Sequence, residues 1–157
     1  MVGQDAFSEA LVAGARDVFE TMIYMEVEEC NDNYEVIESP ALMSSITFKG
    51  KYDGCLGFCC GMSTATIIAN NMLGTQGTNE LSEGEIKDAI GEIANMILGS
   101  VKANLLDVIG DVQVSIPMVV SGLELSNSIG EGAENIEMSL SLDDAMATIT
   151  LFYKETA

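Results

Sequence analysis

Histidine is absent from all 157 residues, and only six residues are basic: Arg16, Lys49, Lys51, Lys87, Lys102 and Lys154. The first absence removes the usual general base near pH 7 and the commonest transition-metal ligand. The second sets 6 basic against 25 acidic residues, a formal net charge of −19. Binding to nucleic acid or to an anionic membrane surface is disfavoured on this balance, since both need basic patches that displace counterions. A bare phosphometabolite would find few cations to hold it, so any phosphate chemistry needs positive charge from a partner. No apolar run approaches the ~20 residues that span a bilayer. The N-terminus, Met1-Val-Gly-Gln-Asp-Ala-Phe7, lacks the basic and apolar regions of a signal peptide, and a cytoplasmic location is expected.

Cysteine is sparse: Cys30, Cys55, Cys59 and Cys60. The Cys55-x3-Cys59-Cys60 cluster has no second pair and no histidine to complete four ligands. It falls in Asp53-Gly-Cys-Leu-Gly-Phe-Cys-Cys-Gly61, which reads as a glycine-rich strand. There Cys55 and Cys59 point to one face and Cys60 to the other, so packing is expected and no metal.

What is present is periodic apolar sequence, 48% of the chain, enough for one domain over residues 1–157 that buries about 70% of its unfolded surface. A first helix is expected from Asp5 to Ile23, with Leu11, Ala15, Val18 and Met22 as its apolar stripe. Tyr24–Glu28 alternates like a strand, and Asn31-Asp32-Asn33 marks a turn. Met43–Lys49 and Gly54–Gly61 read as two antiparallel strands. Ser63–Leu73 reads as a short helix closed by Gly74. After a polar loop, Thr75–Glu80, Ser82 is the expected N-cap of a long helix ending near Leu106. Val112–Val120, Glu134–Leu142 and Ala145–Tyr153 complete the strands, with Pro117 marking an edge or a bulge. Most of the ten methionines, Met22, Met72 and Met96 among them, fall at core positions. Phe152 and Tyr153 read as packing. The expected fold is α+β: two long helices and one shorter helix packed on an antiparallel sheet.

The two long helices also match each other at an offset of 74, as a pseudo-repeat of two helix-plus-strands halves. Ser8-Glu9 aligns with Ser82-Glu83, and Met22-Ile23 with Met96-Ile97. In that register Val18 stands where Glu92 stands, and Thr21 where Asn95 stands.

Within the long helix, Ile86, Ile90, Ile93, Ile97 and Val101 form a stripe that must be buried. Asp88, Glu92 and Asn95, at i, i+4 and i+7, share a sector of roughly 60° on the opposite side. On pattern alone this is also an ordinary solvated face, whose carboxylates could balance Lys87 and Lys102 or favour the helix dipole. Gly91 and Gly99 flank that sector and would let a partner approach closely. Ala94 and Ser100 lie further round, where packing within the fold is expected.

Asp88-x3-Glu92-x2-Asn95 followed by Met96-Ile97 resembles the signature of the CheC/CheX/FliM-type chemotaxis phosphatases, and the single copy is similar to the CheX branch. Val18-Phe19-Glu20-Thr21-Met22 and Ser115-Ile116-Pro117-Met118-Val119-Val120-Ser121-Gly122 also resemble that family, so nearly the whole chain is covered. The resemblance implies a protein aspartyl-phosphate phosphatase that acts on a phosphorylated CheY-type response regulator. It implies that Asn95 orients the attacking water and that Glu92 pairs with the regulator's lysine, with Asp88 on the docking face. The cofactor it implies is Mg²⁺ held by the regulator, with none of the chain's own. It further implies a homodimer, and one active centre per chain, because the first helix lacks both functional side chains. The rival readings are a CheX-like module that binds a regulator or motor-switch component without hydrolysis, and a dimeric scaffold with an acidic steering surface.

Overall fold

The computed structural model describes residues 4–30, 40–74, 81–122, 133–143 and 145–156. The expected turn at Asn31–Asn33, the loop Thr75–Glu80 and most of the loop after Gly122 lie outside them.

Helix α1 spans Gln4–Arg16 and continues as a π-helical segment, Asp17–Ile23. The change of winding corrects the expected stripe. A π turn stacks residue i on i+5 rather than i+4, so burial passes from Val18 to Ile23 and leaves Met22 56% exposed. Tyr24 then takes a left-handed conformation (φ 62°) and ends the helix, its N–H donating to the Phe19 carbonyl. The strand expected from Tyr24 therefore starts later: β1 is Val27–Cys30, although Met25 and Val27 are both buried. Next come β2 (Ala41–Lys49), β3 (Tyr52–Gly61) and α2 (Met62–Leu73), which closes at Gly74 with φ 68°, a conformation that favours glycine.

Helix α3, Glu83–Asn104, begins with a reciprocal capping box. Glu85 N–H donates to Ser82 Oγ and Ser82 N–H donates to Glu85 Oε1, both at 3.1 Å. All five residues of the expected apolar stripe are buried. A one-turn helix, α4 (Leu106–Ile109), follows, and then β4 (Gln113–Val114), β5 (Met118–Gly122), β6 (Glu134–Leu142) and β7 (Ala145–Glu155).

The strands form one antiparallel sheet in the order β1-β6-β7-β3-β2-β4, with β5 also on β2. This order carries the pseudo-repeat into three dimensions. The final strands of the two halves, β3 and β7, pair at the centre, and each is flanked by the strand that precedes it. The first strands exchange sides, β1 joining β6 and β5 joining β2. Phe48 opposes Val114, whereas Ser45 opposes Met118. Residues 115–117 therefore face only residues 46–47, one residue too many, and the expected single strand Val112–Val120 is split by a bulge at Pro117.

The helices cover one face of the sheet. Leu56, Phe58 and Cys60 of β3 join Ile149 and Leu151 of β7 and the α3 stripe in the core. Phe7 of α1 stacks on Tyr153, ring centroids 3.9 Å apart. Met72 and Met96 are only partly buried against that core, so of the three expected core methionines none is fully enclosed. Where α1 crosses α3, a Cβ on Gly14 would lie 3.4 Å from Ser100 Cβ, so the small residue at 100 serves helix packing, as expected.

One polar atom sits badly in this core. Ser44 Oγ, fully buried on β2, has no hydrogen-bond partner among the described residues. Burying an unpaired hydroxyl costs roughly 1–3 kcal/mol, against which the alanine side chain loses little packing. Ser44→Ala is therefore expected to be neutral or to stabilise by about 1 kcal/mol in urea unfolding. A loss of stability of that size would reveal a partner for the hydroxyl.

Candidate active site

The capping box sets where α3 begins, and the buried isoleucine stripe sets its rotation. With those two constraints Asp88, Glu92 and Asn95 must all face outward, and all three are exposed. Asn95 Nδ2 donates to Glu92 Oε1 at 3.3 Å, one helical turn away. That bond orients the carboxamide. Its oxygen remains free to accept a hydrogen from water, and Glu92 Oε2 is left for a cation. Lys87 is drawn to Glu83 one turn earlier (Nζ–Oε1 3.4 Å), not to Asp88 or Glu92. The two carboxylates thus have no internal counter-ion among the described residues. Asp88 shares the face but makes no hydrogen bond within it.

The two glycines of this helix have different roles. A Cβ on Gly99 would meet nothing within 4 Å, so the helix can be approached closely there. Gly91 does not offer the same access. It is buried, and its Cβ would lie 3.2 Å from Val119 Cγ2 and 3.6 Å from Pro117 Cβ. The sequence places Gly91 beside the functional sector but contains no sign that the distant bulge fills that position.

The pseudo-equivalent position on the first helix is closed to this chemistry. Thr21, in register with Asn95, donates its hydroxyl to the Asp17 carbonyl of its own helix, within the π segment. Val18, in register with Glu92, is buried. Both the side chains and the winding differ.

The cysteine cluster behaves as strand alternation requires. Cys60 lies in the core, while Cys59 lies on the opposite face beside Thr148. Cys55, Cys59 and Cys60 are free thiols. Burial pushes the Cys59 thiol up, with the hydrogen bond to Thr148 opposing. No group of three or more histidine, cysteine, aspartate or glutamate side chains able to hold a metal occurs among the described residues. Nor is any helix among them long and apolar enough to cross a membrane.

A groove of about 750 Å³ lies between α1 and β6, lined by Ser8, Val12, Arg16, Ile136 and Met138, and no residue of α3 contributes to it. A carboxamide and a carboxylate on a convex helix can hold a water but cannot enclose a small substrate.

Solved structures share this architecture. CheX from Vibrio vulnificus is 25% identical with a TM-score of 0.78, over 94% of this chain and 96% of that one. CheX from Desulfovibrio desulfuricans is 19% identical with a TM-score of 0.78, over 94% and 99%. CheX in the CheX–CheY–BeF3–Mg²⁺ complex from Borrelia burgdorferi is 18% identical with a TM-score of 0.75, over 95% and 98%. No curated protein sequence matches the chain. The family model for the chemotaxis phosphatase CheX matches residues 42–141, a span that runs from β2 through the whole of α3 to the end of β6. With its single Glu92–Asn95 pair on α3, the chain belongs to the CheX family of chemotaxis phosphatases.

Proposed function

We propose that this chain dephosphorylates a phosphorylated CheY-type response regulator, hydrolysing its aspartyl phosphate. The observation that carries the reading is the Asn95–Glu92 hydrogen bond on a solvent-facing helix with no competing ion pair. In-line attack on phosphorus depends mainly on positioning the nucleophile and on offsetting charge. Asn95 supplies the positioning: its oxygen accepts from the attacking water, and its amide is held by Glu92. Glu92 in turn accepts from the regulator's lysine, which aligns the two proteins over the reacting phosphorus. Offsetting the charge on the phosphoryl oxygens is left to the regulator, which holds the Mg²⁺ and the lysine. Asp88, one turn earlier, belongs to the docking face and touches no reacting atom.

This division of labour accounts for the absence of histidine and the scarcity of lysine and arginine. It also accounts for a site on a convex surface, because the substrate is a folded protein. A cytoplasmic location, a single domain over residues 1–157 and a homodimer are parts of the same proposal, carried by family likeness.

The test is the decay of a phosphorylated CheY-type regulator in Mg²⁺ with and without the protein. Wild type is expected to accelerate decay. Glu92→Ala is expected to lower kcat/KM by about tenfold or more, the scale of a lost charge-assisted hydrogen bond. A Glu92→Ala variant as fast as wild type would refute the lysine pairing. Binding of the phosphorylated regulator by wild type with no faster decay would refute hydrolysis and leave a docking module.

A further inference from the structure

We infer that Gly99 is a specificity-determining position: its missing side chain leaves the space through which the regulator's phosphorylation site closes on Asn95. The inference rests on the phosphatase reading above and names the residue that sets how near the two proteins can come.

Nothing in the fold asks for glycine here. Gly99 lies within α3 rather than at its end. Among the described residues only Gly74 and Gly110 are glycines with positive φ, so the backbone at 99 is open to any side chain. Close packing does not require glycine either. A Cβ at 99 would meet no described residue within 4 Å, whereas the same atom at Gly91 would press on Val119 and Pro117. Yet glycine, after proline, is the residue that most weakens a helix interior. A weakness that neither backbone nor packing explains points to something that approaches from outside.

Helical geometry places Gly99 against the site. At about 100° per residue it projects about 20° from Glu92 and about 40° from Asn95, in the sector between them. It stands about 6 Å further along the axis than Asn95. All three residues are exposed. Helical side chains lean toward the N-terminus, so a side chain at 99 would lie over the turn that carries Asn95. It would cover the carboxamide that the hydrogen bond to Glu92 holds in place.

That carboxamide ends two carbons from the backbone. A phosphoryl group reaches it only when the surface around the phosphoryl group comes down close to the helix. Glycine at 99 leaves that approach open, and a longer side chain obstructs it. The occupant is the phosphorylated regulator, because the opening is continuous with the Glu92–Asn95 pair.

The experiment uses the full chain and a CheY-type regulator, activated with beryllofluoride for binding or phosphorylated for turnover. Gly99→Leu and Gly99→Gln are expected to raise Kd and lower kcat/KM by about tenfold or more, and Gly99→Ala, with one methyl, by about threefold. All three introduce better helix formers, so the thermal midpoint is expected to rise by roughly 2–4 °C while docking weakens. A merely structural role would make stability and activity fall together. A lower midpoint in Gly99→Ala shows that the fold itself requires glycine and overturns the inference. So does a loss in Gly99→Ala as large as in Gly99→Leu, which assigns the effect to helix stiffness instead of space. Unchanged Kd and kcat/KM in both larger variants, with wild type active, overturn this inference alone. The same values with a dimer becoming a monomer in light scattering also overturn it and give the opening to a second copy. Failure of wild type to bind any phosphorylated regulator overturns the inference together with the proposed function.

Discussion

Asn95→Ala is expected to remove about 10²-fold or more of the acceleration of regulator dephosphorylation while leaving docking intact. The size follows from where the interaction acts. A bound water is no better placed in the ground state because Asn95 is there, but in the transition state its oxygen must line up with phosphorus and the leaving carboxylate. An acceptor that fixes the water's orientation stabilises only that arrangement, so its loss falls on kcat rather than on affinity. The carboxamide suits the role because its hydrogen-bonding pattern does not change with pH. The hydrogen bond to Glu92 at 3.3 Å keeps the oxygen from rotating away. Decay rates at saturating protein, together with Kd for the beryllofluoride form, separate the two effects. A variant that loses affinity and rate in proportion would show that Asn95 docks the regulator instead of directing water.

Gly54→Ala is the second large effect, and it concerns the sheet. Gly54 lies on β3 between Phe48 of β2 and Tyr153 of β7. A Cβ there would overlap both the Phe48 ring and the Phe152 carbonyl oxygen. The ring could turn aside, but the carbonyl belongs to the adjacent strand and can yield only if the central pairing of β3 with β7 shifts. A cost of about 3 kcal/mol or more is expected, a large share of a typical domain's total stability. Thermal unfolding should show a midpoint lower by roughly 10 °C. A variant within about 0.5 kcal/mol of wild type would mean that the sheet is more compliant at its centre than close-packed interiors allow. Residual activity in folded Gly54→Ala should stay near wild type, since α3 carries the site and does not contain this strand.

Much of the fold was legible because its signals are local. Ser82 and Glu85 announce the start of α3, its isoleucines announce the buried side, and Gly74 ends α2. The antiparallel pairing of β2 with β3 follows from two alternating runs joined by Gly50–Asp53. The end of the first helix is not legible in the sequence, for a specific reason. A 3.6-residue period assigns Met22 to the core, but π winding advances the buried position to Ile23. Nothing in the residues Asp17–Ile23 announces that change of winding. The segment Val112–Val120 was legible as strand but not as two strands, because a bulge is defined by the partner's register.

The outward placement of Asp88, Glu92 and Asn95 was set by the sequence itself: a helix has one rotation that buries five branched side chains, and the polar triad is then forced outward. So was the scarcity of positive charge that any phosphate chemistry here would have to take from a partner, since charge and the lack of histidine are properties of composition. The tertiary structure alone decided what stands beside that helix. Gly91 meets Pro117 and Val119 because β5 crosses to the strand of the other half, a contact between residues 26 or more positions apart. Such contacts depend on register and strand order, which are settled by the cooperative packing of the whole core and leave no periodic trace in either segment.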